Sequence, residues 1–290
     1  MIKLYADTIP NLRRDIIKNV TAALEEDVGS GDITAQLIPA EQLAKAEVIT
    51  REDCIFCGKD WVEETFRQLD PEVTITWHID DGGKAAADSV LFELQGRARS
   101  LLTGERTALN FVQLLSGTAT TARQYADLVK DLPIKILDTR KTIPGLRSAQ
   151  KYAVACGGCH NHRLGLYDAF LIKENHIAAA GSIAQAIKKA RELAPGKPVE
   201  VEVETLDELD RAIAAGAEII MLDEMELTEI NQHLQGRGLT SHLELSGGLN
   251  ISQLETQRAV LENISRISVG ALTKHCKAVD LSMRVIASFD

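Results

Sequence analysis

No stretch of the chain approaches the roughly 18 consecutive apolar residues that a membrane-spanning helix requires. A membrane partner is therefore not expected. The first residues, Met1-Ile2-Lys3-Leu4-Tyr5-Ala6-Asp7, lack the apolar core and small-residue cleavage site of a secretory signal. Cysteine is scarce and odd in number, five in 290 residues, so the expectation is a cytoplasmic protein with reduced thiols rather than a disulfide scaffold. Neither a GxxxxGK(S/T) loop nor a GxGxxG turn after a strand occurs, which leaves P-loop and Rossmann nucleotide binding without support. Positive charge is also in deficit. Thirty-two Lys and Arg face 42 Asp and Glu, a net charge of −10 that should repel nucleic acid and anionic membranes.

What is present is the balance of an ordinary globular protein, 45% apolar and 26% charged, with length enough for two domains. The charge is unevenly spread. Residues 97–175 hold twelve Lys or Arg against six Asp or Glu, a local excess of +6 that leaves −16 to the rest of the chain. Such a stretch is either a solvated basic face or the wall of an anion site.

The first hundred residues mix helix and strand without a regular repeat. Residues 10–27 have the pattern of an amphipathic helix closed by Gly29-Ser30-Gly31, residues 73–79 and 90–94 are β-rich, and 101–115 carry apolar residues at helical spacing. From about residue 118 short apolar strands alternate with helical stretches, the signature of βα units around a parallel sheet. Strands are expected at 134–137, 169–172, 199–203, 218–222, 242–245 and 267–269, with helices at 182–193, 206–215, 227–234 and 251–261. A seventh strand is open to the segment 152–166. No linker rich in Pro or Ser separates the halves, and the boundary is placed between a domain over 1–117 and a barrel over 118–275.

In parallel α/β folds the catalytic groups gather at the carboxyl ends of the strands. Those ends read Asp138-Thr139-Arg140-Lys141, Lys173-Glu174-Asn175-His176, Glu200 to Glu204 in alternation, Asp223-Glu224, Ser246-Gly247-Gly248 and Gly270. Glycine turns after the last two strands suit a phosphate site built from backbone N–H groups, though each is also an ordinary strand-to-helix turn. Glu202 and Asp223 suit sugar hydroxyls or a hydrated Mg²⁺. Glu200, Glu202 and Glu204 share one strand face, so they are either paired inside a barrel or lie on a solvated edge strand. Arg140, Lys141, His162, Arg163 and Lys173 supply the densest cations; Arg offers a planar fork for carboxylates and Lys a point charge for phosphate.

Cys156-Gly157-Gly158-Cys159-His160 has the CxxCH spacing of haem attachment, and Cys54-Ile55-Phe56-Cys57 offers a second CxxC for zinc. Haem attachment of this kind belongs outside the cytoplasm, and four zinc thiolates would require the two pairs to meet in space. Buried, inert cysteines are the favoured reading.

Thr139-Arg140-Lys141-Thr142-Ile143-Pro144-Gly145-Leu146-Arg147, Asn161-His162-Arg163-Leu164-Gly165-Leu166 and Leu171-Ile172-Lys173-Glu174-Asn175-His176 stand in one order along the chain. With Gly104 to Asn110, Val201-Glu202-Val203, Met221-Leu222-Asp223, Ser246-Gly247-Gly248 and Ser268 to Thr273, they closely resemble the quinolinate phosphoribosyltransferase family over nearly the whole chain. The resemblance implies an N-terminal α/β sandwich and an incomplete, about seven-stranded parallel α/β barrel resembling a TIM barrel. A C-terminal segment, 276–290, returns to the first domain.

The implied activity is that of a pentosyltransferase: phosphoribosyl passes from 5-phosphoribosyl diphosphate to quinolinate, with loss of CO₂, giving nicotinate mononucleotide and diphosphate for NAD synthesis. Mg²⁺ and a homodimer are implied as well, with Arg106 entering the site from the partner subunit. By the same resemblance Arg106, Arg140, His162, Arg163 and Lys173 hold the dicarboxylate, and Lys141 meets the diphosphate. Glu202 and Asp223 serve ribose and metal, while Ser246, Gly247, Gly248 and Gly270 bind phosphate. Lys141, Lys173, Glu202 and Asp223 form the catalytic set. Two positions depart from the family's habit: Cys159-His160, where small residues are usual, and Glu224, where Asn commonly follows the aspartate. Rival readings are an aldolase-like phosphosugar lyase with a Schiff base on Lys173 and a non-catalytic anion or metal carrier.

Overall fold

The computed structural model describes residues 9–247 and 250–289. They divide into two compact units, one of residues up to 123 with 142–158 and 272 onward, the other of residues 124–141 and 159–271.

The first unit is built on a four-stranded antiparallel sheet. Its strands are β1 (Leu43–Thr50), β3 (Thr74–Trp77), β5 (Val90–Arg97) and β12 (Leu281–Phe289), in the order β12-β1-β5-β3. A short pair, β2 (Cys54–Ile55) and β4 (Lys84–Ala85), lies beside it in sequence. The helices are α1 (Leu12–Val28), α2 (Lys59–Leu69), α3 (Ala98–Leu128) and α4 (Arg147–Cys156). Inward residues of β1 and β5, among them Val48, Leu91 and Phe92, pack with Phe66 and Leu101 in one apolar core. Burying each large side chain removes enough apolar surface to contribute about 1.5–3 kcal/mol.

Sequence periodicity ends the helix after residue 115, yet α3 runs through to Leu128. The reason is Gly117, which breaks nothing. A Cβ there would stand 1.9 Å from the Lys277 carbonyl oxygen, so the glycine admits a neighbouring backbone against the helix.

One cysteine from each CxxC pair, Cys57 and Cys156, does meet, beside Asp81. Asp81 is already saturated: its oxygens accept the Gly58 and Lys59 N–H groups and the Tyr152 hydroxyl at 2.7 Å. Cys54 instead lies by the Thr50 hydroxyl. None of the five cysteines is in a disulfide, and burial raises the Cys54 and Cys57 pKa, as befits unreactive core residues.

The second unit is a six-stranded parallel sheet in the order β6-β11-β10-β9-β8-β7. Its strands are β6 (Lys135–Leu137), β7 (Phe170–Ile172), β8 (Val199–Val203), β9 (Ile219–Asp223), β10 (His242–Ser246) and β11 (Ile264–Ser268). Between them run α5 (Glu174–Ala180), α6 (Ile183–Leu193), α7 (Leu206–Ala214), α8 (Leu227–Leu234) and α9 (Ile251–Gln257). Helix starts are fixed by side-chain caps: Ser182 accepts the Gln185 N–H, Thr205 that of Glu208 and Asn250 that of Gln253. On α6 the buried Ile183, Ala186, Ile187 and Ala190 form a single stripe at helical spacing. This is an incomplete α/β barrel, with one correction to the expected strand count. The segment open to a seventh strand holds α4 and then a single parallel bridge, Leu137 to His160, because the chain turns at once to bind Asp138. Among the described residues no helix is long and apolar enough to cross a membrane.

Candidate active site

The site grows from the carboxyl ends of the parallel strands. On β8, Val199, Val201 and Val203 share one face and Glu200 and Glu202 the other, and all five are buried. Glu202 is satisfied by Lys173, whose Nζ donates to its two oxygens at 2.8 and 2.5 Å. Lys173 directly follows β7 and immediately precedes α5, where its N–H donates to His176 Nδ1 at 3.0 Å. A lysine whose Nζ is engaged by both oxygens of a carboxylate is poorly placed to attack a carbonyl and form a Schiff base, which disfavours the lyase reading.

Next on the rim, Asp223 ends β9 in register with Ser246 at the end of β10. Gly247 follows with φ 119°, a backbone state natural to glycine. Gly248, the last of that predicted phosphate turn, lies outside the described residues. Gly270, after β11, adjoins Lys141: a Cβ on Gly270 would stand 3.1 Å from Lys141 Cδ and 3.6 Å from Thr139 Oγ1. The lysine and the glycine turn expected to meet phosphate are thus neighbours, and Lys141 is exposed.

The cationic wall is held by Asp138, which is wholly buried after β6. Its oxygens accept the Asn161 side-chain N–H at 2.6 Å and the His162 backbone N–H at 2.9 Å. Arg163 donates from Nη1 to the Ala169 carbonyl, and Asp168 takes the Leu164 N–H. Burial, then the nearby Arg140 charge, lower the Arg163 pKa; the guanidinium stays cationic but gains from an anion placed beside it.

His162 faces inward. Its Nε2 lies 3.0 Å from Glu200 Oε2 and 3.2 Å from Glu244 Oε1, while in the neutral ring Nδ1 accepts the Arg163 N–H at 2.7 Å. Burial disfavours the charged ring, but the two carboxylates outweigh it and raise the pKa to about 9. Glu200 is 3% exposed, which removes the edge-strand reading for it; Glu204 is exposed. Glu244, Arg266 and the anchoring role of Asp138 escape a reading of strand ends. The available signal was a charge at an inward position of β10, where His242-Leu243-Glu244-Leu245 repeats the alternation of β8. Arg106 lies exposed on α3 of the first unit.

Cations for carboxylate and phosphate, carboxylates beside them and glycine turns at the last strands define an α/β-barrel enzyme for anionic substrates. Residues 32–116 match the family model "Quinolinate phosphoribosyl transferase, N-terminal domain", and residues 118–284 match its C-terminal counterpart. The chain belongs to the quinolinate phosphoribosyltransferase family. It is 44% identical over 264 residues to a probable nicotinate-nucleotide pyrophosphorylase (carboxylating) of Bacillus subtilis, covering 91% of each chain. The nicotinate-nucleotide pyrophosphorylase (carboxylating) of Mycobacterium leprae is 38% identical over 279 residues, 93% of this chain and 96% of that one. Among solved structures, a nicotinate-nucleotide pyrophosphorylase from Francisella tularensis superposes with TM-score 0.90 at 49% identity, covering 96% of this chain and 97% of that one.

Proposed function

We propose that this chain carries out the carboxylating nicotinate-nucleotide pyrophosphorylase reaction: quinolinate and 5-phosphoribosyl diphosphate give nicotinate mononucleotide, CO₂ and diphosphate. The observation that carries the reading is the pairing of Lys173 with Glu202 at the carboxyl ends of β7 and β8, in a chain matched to this family over both domains. Arg140 and Arg163, with Lys173 and His162, take the dicarboxylate; planar guanidinium forks suit carboxylates. Lys141, Ser246, Gly247 and Gly270 take phosphate oxygens.

The quinolinate ring nitrogen bonds to ribose C1 as the bond from C1 to the diphosphate oxygen breaks. Positive charge develops on the ribose, which Glu202 and Asp223 favour, and negative charge on the departing diphosphate, which Lys141 favours. The ring C2 carboxylate then leaves as CO₂; its electron pair stays on the ring carbon, beside the cationic nitrogen, and takes up a proton. Positioning and electrostatics supply the rate without a covalent intermediate.

The oxygen donors of Glu202 and Asp223 fit Mg²⁺, which favours one or two carboxylates completed by substrate oxygens. Bound there, the ion would accept lone pairs from ribose hydroxyls and neutralise charge on diphosphate oxygens. A homodimer in which the partner subunit completes the site with Arg106, and a cytoplasmic location, belong to the same reading.

The test is diphosphate release by the purified protein given quinolinate, 5-phosphoribosyl diphosphate and Mg²⁺, with omission of each in turn. Product only in the complete mixture is expected. No product in it would overturn the reading. Mixing Arg106→Ala and Arg163→Ala subunits restores activity if the site is shared, and leaves none if it is not.

A further inference from the structure

Four ionisable side chains on the inward side of the barrel form a chain, and three of them, Glu200, Glu244 and Arg266, have no part in the reaction as proposed. Arg266 on β11 donates from Nε to Glu244 Oε2 at 2.7 Å, across a register in which the two residues are partners. The other oxygen of Glu244 lies 3.2 Å from His162 Nε2, and that same nitrogen lies 3.0 Å from Glu200 on β8. Glu244 is 0% exposed and Glu200 3%.

Buried ion networks are a poor means of stabilising a fold, because desolvation consumes most of the Coulombic gain and apolar residues of similar volume do as well or better. A metal site is also a weak account of the group. Arg266 already supplies positive charge at Glu244, so a cation among these residues would face a guanidinium as well as the imidazole. What the arrangement does supply is orientation. The imidazole meets carboxylates of two strands across Nε2, as ion-pair contacts and not as aligned hydrogen bonds, while its own backbone N–H is held by Asp138, and the next residue along is Arg163.

We propose that Glu200 and Glu244 are positioning residues, two carboxylates backed by Arg266 that clamp the Nε2 edge of His162 and so fix the segment presenting Arg163 to the dicarboxylate substrate. The inference rests on the transferase reading for its substrate, but the clamp itself is read without it. Glu244→Gln keeps the volume and removes the charge at Nε2; Glu200→Gln does the same from the other strand and serves where the first fails to fold.

The expected result in either variant is a rise in KM for quinolinate of about tenfold or more, the scale on which partners of an orienting histidine act. KM for 5-phosphoribosyl diphosphate stays within about twofold. Nitrogen-15 spectra of the histidine-labelled full chain, without substrates, should show the His162 ring signals displaced in both variants. Unchanged ring signals overturn the clamp. Equal rises in both KM values overturn its link to the dicarboxylate. A wild-type chain that takes no quinolinate defeats the transferase reading alone, and the ring signals then decide the clamp by themselves.

Discussion

Lys173 reaches both oxygens of Glu202, at 2.8 and 2.5 Å, from the end of one barrel strand to the next strand in the sheet. In the ligand-free chain the lysine therefore holds a protein carboxylate in the manner that the proposed reaction asks it to hold a substrate carboxylate. Lys173 keeps 44% of its side chain exposed, so the pair is worth about 1 kcal/mol or less to stability. Glu202→Gln should accordingly leave thermal unfolding almost unmoved while lowering kcat by about a hundredfold or more, as removal of a charge-stabilising group does. Calorimetry and steady-state kinetics on one preparation check both halves.

Glu224 is a non-glycine residue in the left-handed region, with φ 51°. Asn tolerates that conformation far better than Glu. Glu224→Asn should raise stability by roughly 0.5–1 kcal/mol, the scale of the left-handed penalty. Urea unfolding measures it; a loss of stability would mean that the Glu224 side chain contributes more than its backbone costs.

A methyl group at Gly270 would press on the Lys141 side chain from 3.1 Å. Gly270→Ala should displace that flexible side chain and not the fold. Kinetics should show a several-fold rise in KM for 5-phosphoribosyl diphosphate together with a fall in kcat, and little change in KM for quinolinate, since Lys141 is the group proposed to favour the departing diphosphate.

The pKa of His162 is raised to about 9 from 6.5, burial opposing and the carboxylates of Glu200 and Glu244 prevailing. A raised folded-state value means that the stabilisation is complete below pH 6.5 and is lost as pH climbs through about 9. The pKa of Glu200, also raised, chiefly by burial, acts in the same direction at lower pH. Unfolding free energies at pH 6, 8 and 9.5 should fall in that order, and His162→Gln should flatten the fall across the whole range.

The barrel was legible because its strands and helices announce themselves by period. Val199–Val203 and Leu227–Leu234 are found where the alternation and the helical spacing put them. Helix α5 was not, because Glu174-Asn175-His176 reads as a polar loop until the Lys173 N–H finds the His176 ring. The cations of the site were visible as residues at strand ends. Their supports were not, since Asp138, Glu244 and Arg266 act through partners distant in sequence, and no local pattern reports a pairing such as Arg266 with Glu244. Strand β12 was invisible to alternation for a similar reason: its identity is conferred by β1, to which it pairs.

That pairing joins Leu43 to Phe289 and continues through Thr50 to Leu281, so the first unit's sheet takes an edge strand from far along the chain. During synthesis, β1 and β5 emerge first and must wait, with one flank of β1 unsatisfied, until the intervening βα units and then β12 have been made. Completing this sheet is a slow kind of folding event, since the loop it closes spans the whole of the second unit. The nascent protein thus carries an open strand edge while the barrel is being made, and that edge is where premature association with another copy would begin.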